Sequence, residues 1–374
     1  MCRNGFMIVS GLDPKSGLPS QRFGQEELVA IAGGEFLVHA RLQAGAPLVL
    51  FLPGGAHLAR VAYGHPGARR EDFLDHHLQA CGLALLAISY PSSHPVFSRP
   101  DPFMTLSRWA AGVAEITANR VGQRPVLVAG WSMAGKGVLR LNRALKERGV
   151  DMTGFVSLCA RPPWPGLSPR SPQGEPIRTD GLWDSSLYHG STIAGLEEVN
   201  RLAGRTIINA EAHSIHYHGE GPLMLRGEVD RLGPDGRFTS VEAALADSEA
   251  FVFEQAPLCA SISPTAPSDA EHALADAAIW SAIGLMGLLR NHLGGIDLNR
   301  LPPESWKRLR SLADEWPKAM NRTVEGGHYF FVGEAGAAAT ARALADLNRR
   351  MRAVTDELRA IKTRVPAARG EGSC

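Results

Sequence analysis

The sequence predicts an α/β fold, with a mainly parallel central sheet, helices on both faces and an inserted lid. Three observations carry this. Short apolar runs alternate with helical segments across residues 47–158. One of those runs passes through a small-residue turn directly into a helix, in RPVLVAGWSMAGKGVLRL at residues 124–141. The alternation stops at Arg161 and resumes at Pro257. Strands buried on both faces read as continuous apolar runs, and the helices between them supply the crossovers a parallel sheet requires.

Taken in order, residues 27–42 (ELVAIAGGEFLVHARL) alternate around Gly33-Gly34, which predicts a hairpin with a tight glycine turn. Residues 47–52 are too short and too apolar for a surface helix and end in Pro53-Gly54-Gly55, as a buried strand should. A helix over 71–80, a strand over 83–90, a helix over 109–119 and a strand over 126–129 follow. Beyond the turn come a helix over 137–148 and a strand over 155–158. Residues 161–181 are rich in Pro, Gly, Ser and Arg, which breaks the rhythm, and 182–255 show no βα pattern. The expected division is a core of 1–161 and 257–374 with a lid insertion of 162–256. A long Arg-rich amphipathic helix over 335–362 should close the core.

Composition narrows the function. Among 374 residues the formal net charge is +1 with both signs interspersed, so no basic face for nucleic acid and no polybasic membrane anchor is expected. A small-molecule partner fits better. Five cysteines, at 2, 81, 159, 259 and 374, are odd in number and form no CxxC pair, which predicts reduced thiols, a cytoplasmic setting and no zinc motif. The N-terminal stretch lacks a signal-peptide pattern. The longest uncharged run, 277–289, is too short to cross a bilayer.

Gly130-Trp131-Ser132-Met133-Ala134-Gly135 lies between strand and helix, the setting in which a strained turn lifts a serine hydroxyl above a sheet edge. Small residues are needed there because the two backbones nearly touch, and Ala134 takes the place of the usual second glycine. A serine hydroxyl needs a base. Of 13 histidines only His328, in TVEGGHYFF, follows a short strand and two glycines and precedes a terminal helix, with His57 and His272 next in line. A tetrahedral oxyanion needs donors, and Leu52-Pro53-Gly54-Gly55-Ala56-His57 at a strand end offers the amide of Gly55 or Ala56 to pair with that of Met133.

A PGG turn after an early strand, a GWSMAG elbow in mid-core and a GGH loop near the end, in that order, resemble the α/β-hydrolase family. The resemblance covers roughly 46–159 and 257–348. It implies Ser132 as nucleophile, His328 as base, and Met133 with Gly55 or Ala56 as oxyanion donors.

Three aspartates compete for the acid. Asp230 follows a strand-like run but lies far from His328, and Asp297 follows a helix that ends in glycines. Asp269 follows the apolar run at 257–262 and opens a helix, and it is the choice. The expected function is a serine esterase or thioesterase acting on a small acyl ester through an acyl-enzyme, with no cofactor. An acyltransferase or cyclase, or a non-hydrolytic lyase or binder on the same fold, is the rival. His213, His216 and His218 lack metal-ligand spacing, so a wet lid surface or a substrate-facing wall is expected of them. No GxGxxG or GxxxxGK[ST] supports a nucleotide.

Overall fold

The computed structural model describes residues 22–122, 124–164, 166–167, 176–227, 231–232 and 238–364. Strands β1 (Glu26–Ile31) and β2 (Gly34–Arg41) form an antiparallel hairpin. Its left-handed turn residues are Ala32 (φ 51°) and Gly33 (φ 73°), so the turn falls one residue before the expected Gly33-Gly34 pair. Gly34 instead opens β2, where a Cβ would come 2.5 Å from the Met104 side chain. The chain then gives β3 (Leu48–Leu52), α1 (Leu74–Ala80), β4 (Ala84–Ser89), α2 (Leu106–Val121) and β5 (Val126–Trp131). A 3₁₀ turn over Ser132–Gly137 leads into α3 (Val138–Glu147) and β6 (Met152–Leu158).

The region expected to lack βα rhythm holds α4 (His189–Ala203), α5 (Ala210–His216), the short paired strands β7 (Arg231–Leu232) and β8 (Phe238–Thr239), and α6 (Val241–Ser248). The rhythm resumes with β9 (Cys259–Pro264), α7 (Ala270–Met286), α8 (Pro303–Ala319), β10 (Asn321–Val324) and the terminal α9 (Glu334–Thr363).

The main sheet has eight strands in the order β1-β2-β4-β3-β5-β6-β9-β10, antiparallel at the first two pairings and parallel from β4 onward. Every residue of β3, β4 and β5 is buried. Side chains alternate across a strand, and this splits the core into two layers. Leu48, Leu50 and Val128 pack with Trp109 and Val113 of α2, Leu139 of α3 and Trp280 of α7. Val49, Phe51 and Leu127 face the other way, onto Leu74 of α1, Trp316 of α8 and Leu344 and Met351 of α9.

With the preceding turn and a following π turn, α7 forms one stretch, Pro267–His292, that is long and apolar enough to cross a membrane by length and composition. The expectation from 277–289 alone missed this. Trp280 and Ile283 of that stretch are fully buried against the sheet, the setting of a core helix.

Parallel strands deliver their following loops to one edge, and the segment between β6 and β9 touches those loops. The Leu58 amide donates to the Tyr217 carbonyl (2.8 Å), the Gly219 amide to the Ala56 carbonyl (3.1 Å), and the Ser268 hydroxyl to Glu198 (2.7 Å). Leu196, Val199 and Tyr217 of the segment are buried in the same apolar layer as α1 and α9.

Candidate active site

Of the five non-glycine residues with positive φ among the described residues, three stand just beyond strand ends at this edge. They are Ala56 after β3, Ser132 after β5 and Cys159 after β6. Such backbone costs about 1–3 kcal/mol per residue and collects where function requires it. Ser132, at φ 51°, is held there by close packing. A Cβ on Gly130 would lie 2.5 Å from the Phe155 ring, and one on Gly54 would lie 2.8 Å from the Ser132 Cβ. Gly135 is the glycine the turn cannot lose, since a Cβ there would run into the Arg161 carbonyl oxygen and come 2.9 Å from Ala160. That same loop closes over the elbow through the Arg161 amide, which donates to the Ser132 carbonyl at 2.8 Å. Ala134 is buried, and its Cβ lies 3.5 Å from where a Cβ on Gly130 would stand.

His328 is presented by the loop after β10. Gly326 takes φ 119°, and a Cβ on Gly327 would meet Ser268 Oγ at 2.5 Å and Glu198 Oε2 at 2.6 Å. The Trp131 indole N–H, one residue before Ser132, donates to the His328 carbonyl at 3.1 Å. His328 Nδ1 lies 2.8 Å from Asp269 Oδ2. Asp269 stands at the N-terminus of α7, yet its side chain caps nothing. Burial pushes this carboxyl up, but the hydrogen bond and charge of His328, with help from His272 and Cys159, outweigh it and hold the group at about 2. Asp297 instead accepts from the Asn299 amide at 3.0 Å, and Asp230 lies outside the described residues.

A sheet in this strand order, with a strained serine directly after the fifth strand and a histidine–aspartate pair in the loops after the last two, decides the architecture. The fold is that of the α/β-hydrolases.

Among solved structures, the chain is similar to a thioesterase domain from the curacin biosynthetic pathway, at 13% identity over 86% of this chain and 99% of that one, with a TM-score of 0.42. It is also similar to a loop variant of the haloalkane dehalogenase from Bradyrhizobium elkanii, at 14% identity over 88% and 98%, with a TM-score of 0.47. A third is the hyperthermophilic esterase from Pyrobaculum calidifontis, at 13% identity over 87% and 82%, with a TM-score of 0.41. No protein-family model and no curated protein matches the chain.

Within this hydrolase fold, the loop after β3 is held by side chains the sequence did not flag. Tyr90, buried at the end of β4, donates its hydroxyl to the Gly54 carbonyl at 2.7 Å. Its oxygen in turn faces the amides of Ala56 and His57. The Gly54–Gly55 peptide is trans, so the Gly55 N–H points away from the carbonyl that Tyr90 holds. Ala56 turns its amide toward Tyr90, which leaves Gly55 as the better-placed donor of the two. Met133 is the second residue of the 3₁₀ turn, so its amide has no acceptor within that turn. The loops abut: a Cβ on Gly55 would lie 3.4 Å from Met133 Sδ.

His57 is buried, and both of its ring nitrogens are engaged. Its Nδ1 lies 2.7 Å from the Gly55 carbonyl, which only accepts, so Nδ1 carries the hydrogen. The Tyr329 hydroxyl and His213 Nε2 both reach its other nitrogen at 3.0 Å. Burial, then the neighbouring His213, pushes the His57 pKa well down. His213, expected on a wet surface or a substrate-facing wall, is 3% exposed and lies against His57, so the wet-surface reading fails for it. His216 stacks on His65, and His218 lies 3.5 Å from Glu220. His272, the other reserve base, has its Nδ1 2.8 Å from Asp276.

The segment between β6 and β9 supplies Trp183, whose ring would come within 2.9 Å of a Cβ on Gly55, and Arg226, whose guanidinium lies 4.3 Å from the Trp183 ring centre. Neither was singled out in the sequence, because nothing local to 183 or 226 says which loop they approach.

Proposed function

We propose that the protein is a serine hydrolase of carboxylic esters or thioesters. The observation that carries this reading is the strained Ser132 after β5 beside the loop that brings His328 and Asp269 to 2.8 Å. Asp269 accepts from Nδ1–H of His328, so Nε2 is the bare nitrogen available to take the Ser132 proton. The serine oxygen then attacks the acyl carbon. Negative charge on the carbonyl oxygen is met by the amides of Met133 and Gly55, with Tyr90 as a positioning residue for the second. Collapse expels an alcohol or thiol that takes the proton from His328. Water activated by the same nitrogen then releases the acid and restores Ser132.

Residues 182–255 serve in this reading as a lid. The support is that Trp183, Glu198 and His213 meet the loops after β3, β9 and β10 rather than standing apart from them. Trp183 then forms a wall over the acyl group.

The test is turnover of p-nitrophenyl acetate, p-nitrophenyl butyrate and an acyl thioester by the purified chain, with labelling by a fluorophosphonate probe. Turnover and labelling that both vanish in Ser132→Ala support the reading. A wild-type protein that neither turns over any of these nor takes the label overturns it.

A further inference from the structure

Behind the His328–Asp269 pair lies a third side chain with metal-binding chemistry. Cys159, at φ 48° after β6, is fully buried, and its Sγ, an Asp269 carboxylate oxygen and a His328 ring nitrogen all lie within 4.8 Å of one another. Residues 159, 269 and 328 come from three different loops, which is why no spacing in the sequence shows the set. Thiolate, imidazole and carboxylate are the ligands zinc takes, and a tetrahedral ion holds such atoms roughly 3.3–3.6 Å apart. The present 2.8 Å between His328 Nδ1 and Asp269 Oδ2 therefore needs to open by only about half an ångström to reach that spacing.

A second observation points the same way. His272, three residues along from Asp269, packs its ring 5.6 Å from that of His328. Its Nδ1 is held by Asp276, and its buried Nε2 has no hydrogen-bond partner among the described residues. A histidine fixed through one nitrogen by a carboxylate, with the other nitrogen bare, is how metal-ligating imidazoles are usually supported.

We propose that Cys159, Asp269 and His328, with His272 adjacent, form an inhibitory site for a thiophilic divalent cation such as Zn²⁺. Coordination displaces the thiol proton to solvent, one proton per ion. It also occupies Nδ1 of His328, and a neutral imidazole so bound carries its hydrogen on Nε2. That is the nitrogen that must be bare to accept a proton from Ser132, so the bound enzyme has no base. The inhibition rests on the serine-hydrolase reading; the binding does not.

The experiment uses the full chain, freed of metal by a chelator. Co²⁺ should give a thiolate-to-cobalt charge-transfer band. Zn²⁺, titrated against a chromogenic chelator, should bind and suppress both ester turnover and fluorophosphonate labelling, reversibly with EDTA. Cys159→Ser should weaken zinc binding by more than the roughly 10- to 100-fold that changes around a metal site cost. It should relieve inhibition to the same degree, measured against the variant's own metal-free rate. Cys81 and Cys259 are also free thiols, and the comparison with Cys159→Ser separates them. The absence of a charge-transfer band in the unaltered protein overturns the proposal even if the variant does not fold. Equal zinc affinity in variant and wild type also overturns it. Zinc binding at Cys159 in a protein that hydrolyses no ester would sink the catalytic reading and leave the site standing.

Discussion

Replacing Asp269 with Asn keeps the shape of the side chain and removes its charge, which makes it the sharpest probe of the proposed triad. The carboxyl is held at about 2 against an ordinary 3.8, chiefly by His328 once burial has been overcome. A hydrogen bond to a charged group contributes about 1.5–3 kcal/mol, so after a discount for the partial exposure of the pair the lost carboxylate should cost about 2 kcal/mol. His328 is charged while the tetrahedral intermediate forms, so losing the carboxylate alone should lower kcat by roughly 30-fold. If the amide instead turns its NH₂ toward Nδ1, the imidazole is held in the wrong tautomer, and such a change in another serine hydrolase costs about 10⁴-fold. The expected loss in kcat thus lies between about 30- and 10⁴-fold, with KM little changed because Asp269 is placed against the imidazole rather than the acyl group. The assay is p-nitrophenyl butyrate kinetics with circular dichroism as a check on folding. Asp297→Asn, which disturbs only a turn at Asn299, is the control. A folded Asp269→Asn enzyme that keeps more than half the wild-type kcat would refute the role given to Asp269.

Ser132→Ala and His328→Ala should each lower turnover by as much as about a million-fold and abolish fluorophosphonate labelling; normal labelling of the histidine variant would move the base elsewhere. Gly135→Ala should cost about 1–3 kcal/mol in denaturant unfolding, because the Arg161 backbone cannot yield as a side chain would; an unchanged midpoint refutes the close-packing account of the elbow. Trp183→Ala should shift the preference of kcat/KM from acetate toward octanoate esters, and an unaltered chain-length profile would remove Trp183 from the acyl wall. The buried His213 is pushed down to about 4 from an ordinary 6.5, chiefly by burial. The unfolded chain therefore binds the proton first, and this contribution, present above pH 6.5, is lost as the pH falls toward 4, by up to roughly 3 kcal/mol. Urea unfolding of wild type and His213→Gln from pH 7.5 to 4 checks it, and equal pH slopes for the two would count against it.

The alternation of apolar strands with helices was legible because each strand between helices is buried on both faces and must read as an unbroken apolar run. The turn at Ser132 and the GGH loop were legible because the backbone there demands small residues, as Gly130, Gly135 and Gly327 show by what a Cβ would strike. Helix α8 was not foreseen: most of PESWKRLRSLADEWPKA is polar, and Leu309, Leu312 and Trp316, with Ala319 at its end, are what it gives to the apolar core. The small elements between β6 and β9 were missed for a related reason, since the buried residues there include His213, Tyr217 and Trp183, which carry no apolar period. The sequence by itself thus determined the fold class and pointed to the turns that carry Ser132 and His328. The sequence also favoured Asp269 as the partner of His328, and the structure brings the two together; tertiary structure alone decided that Tyr90 holds the Gly54 carbonyl, that Trp183 approaches Gly55, and that Cys159 lies behind the pair. Those partners lie far apart in the chain, from 36 residues between Gly54 and Tyr90 upward, and the strand order brings them to one sheet edge. Local sequence sets the conformation of each loop, but which loops face one another follows from strand order, and strand order is fixed by the packing of whole layers.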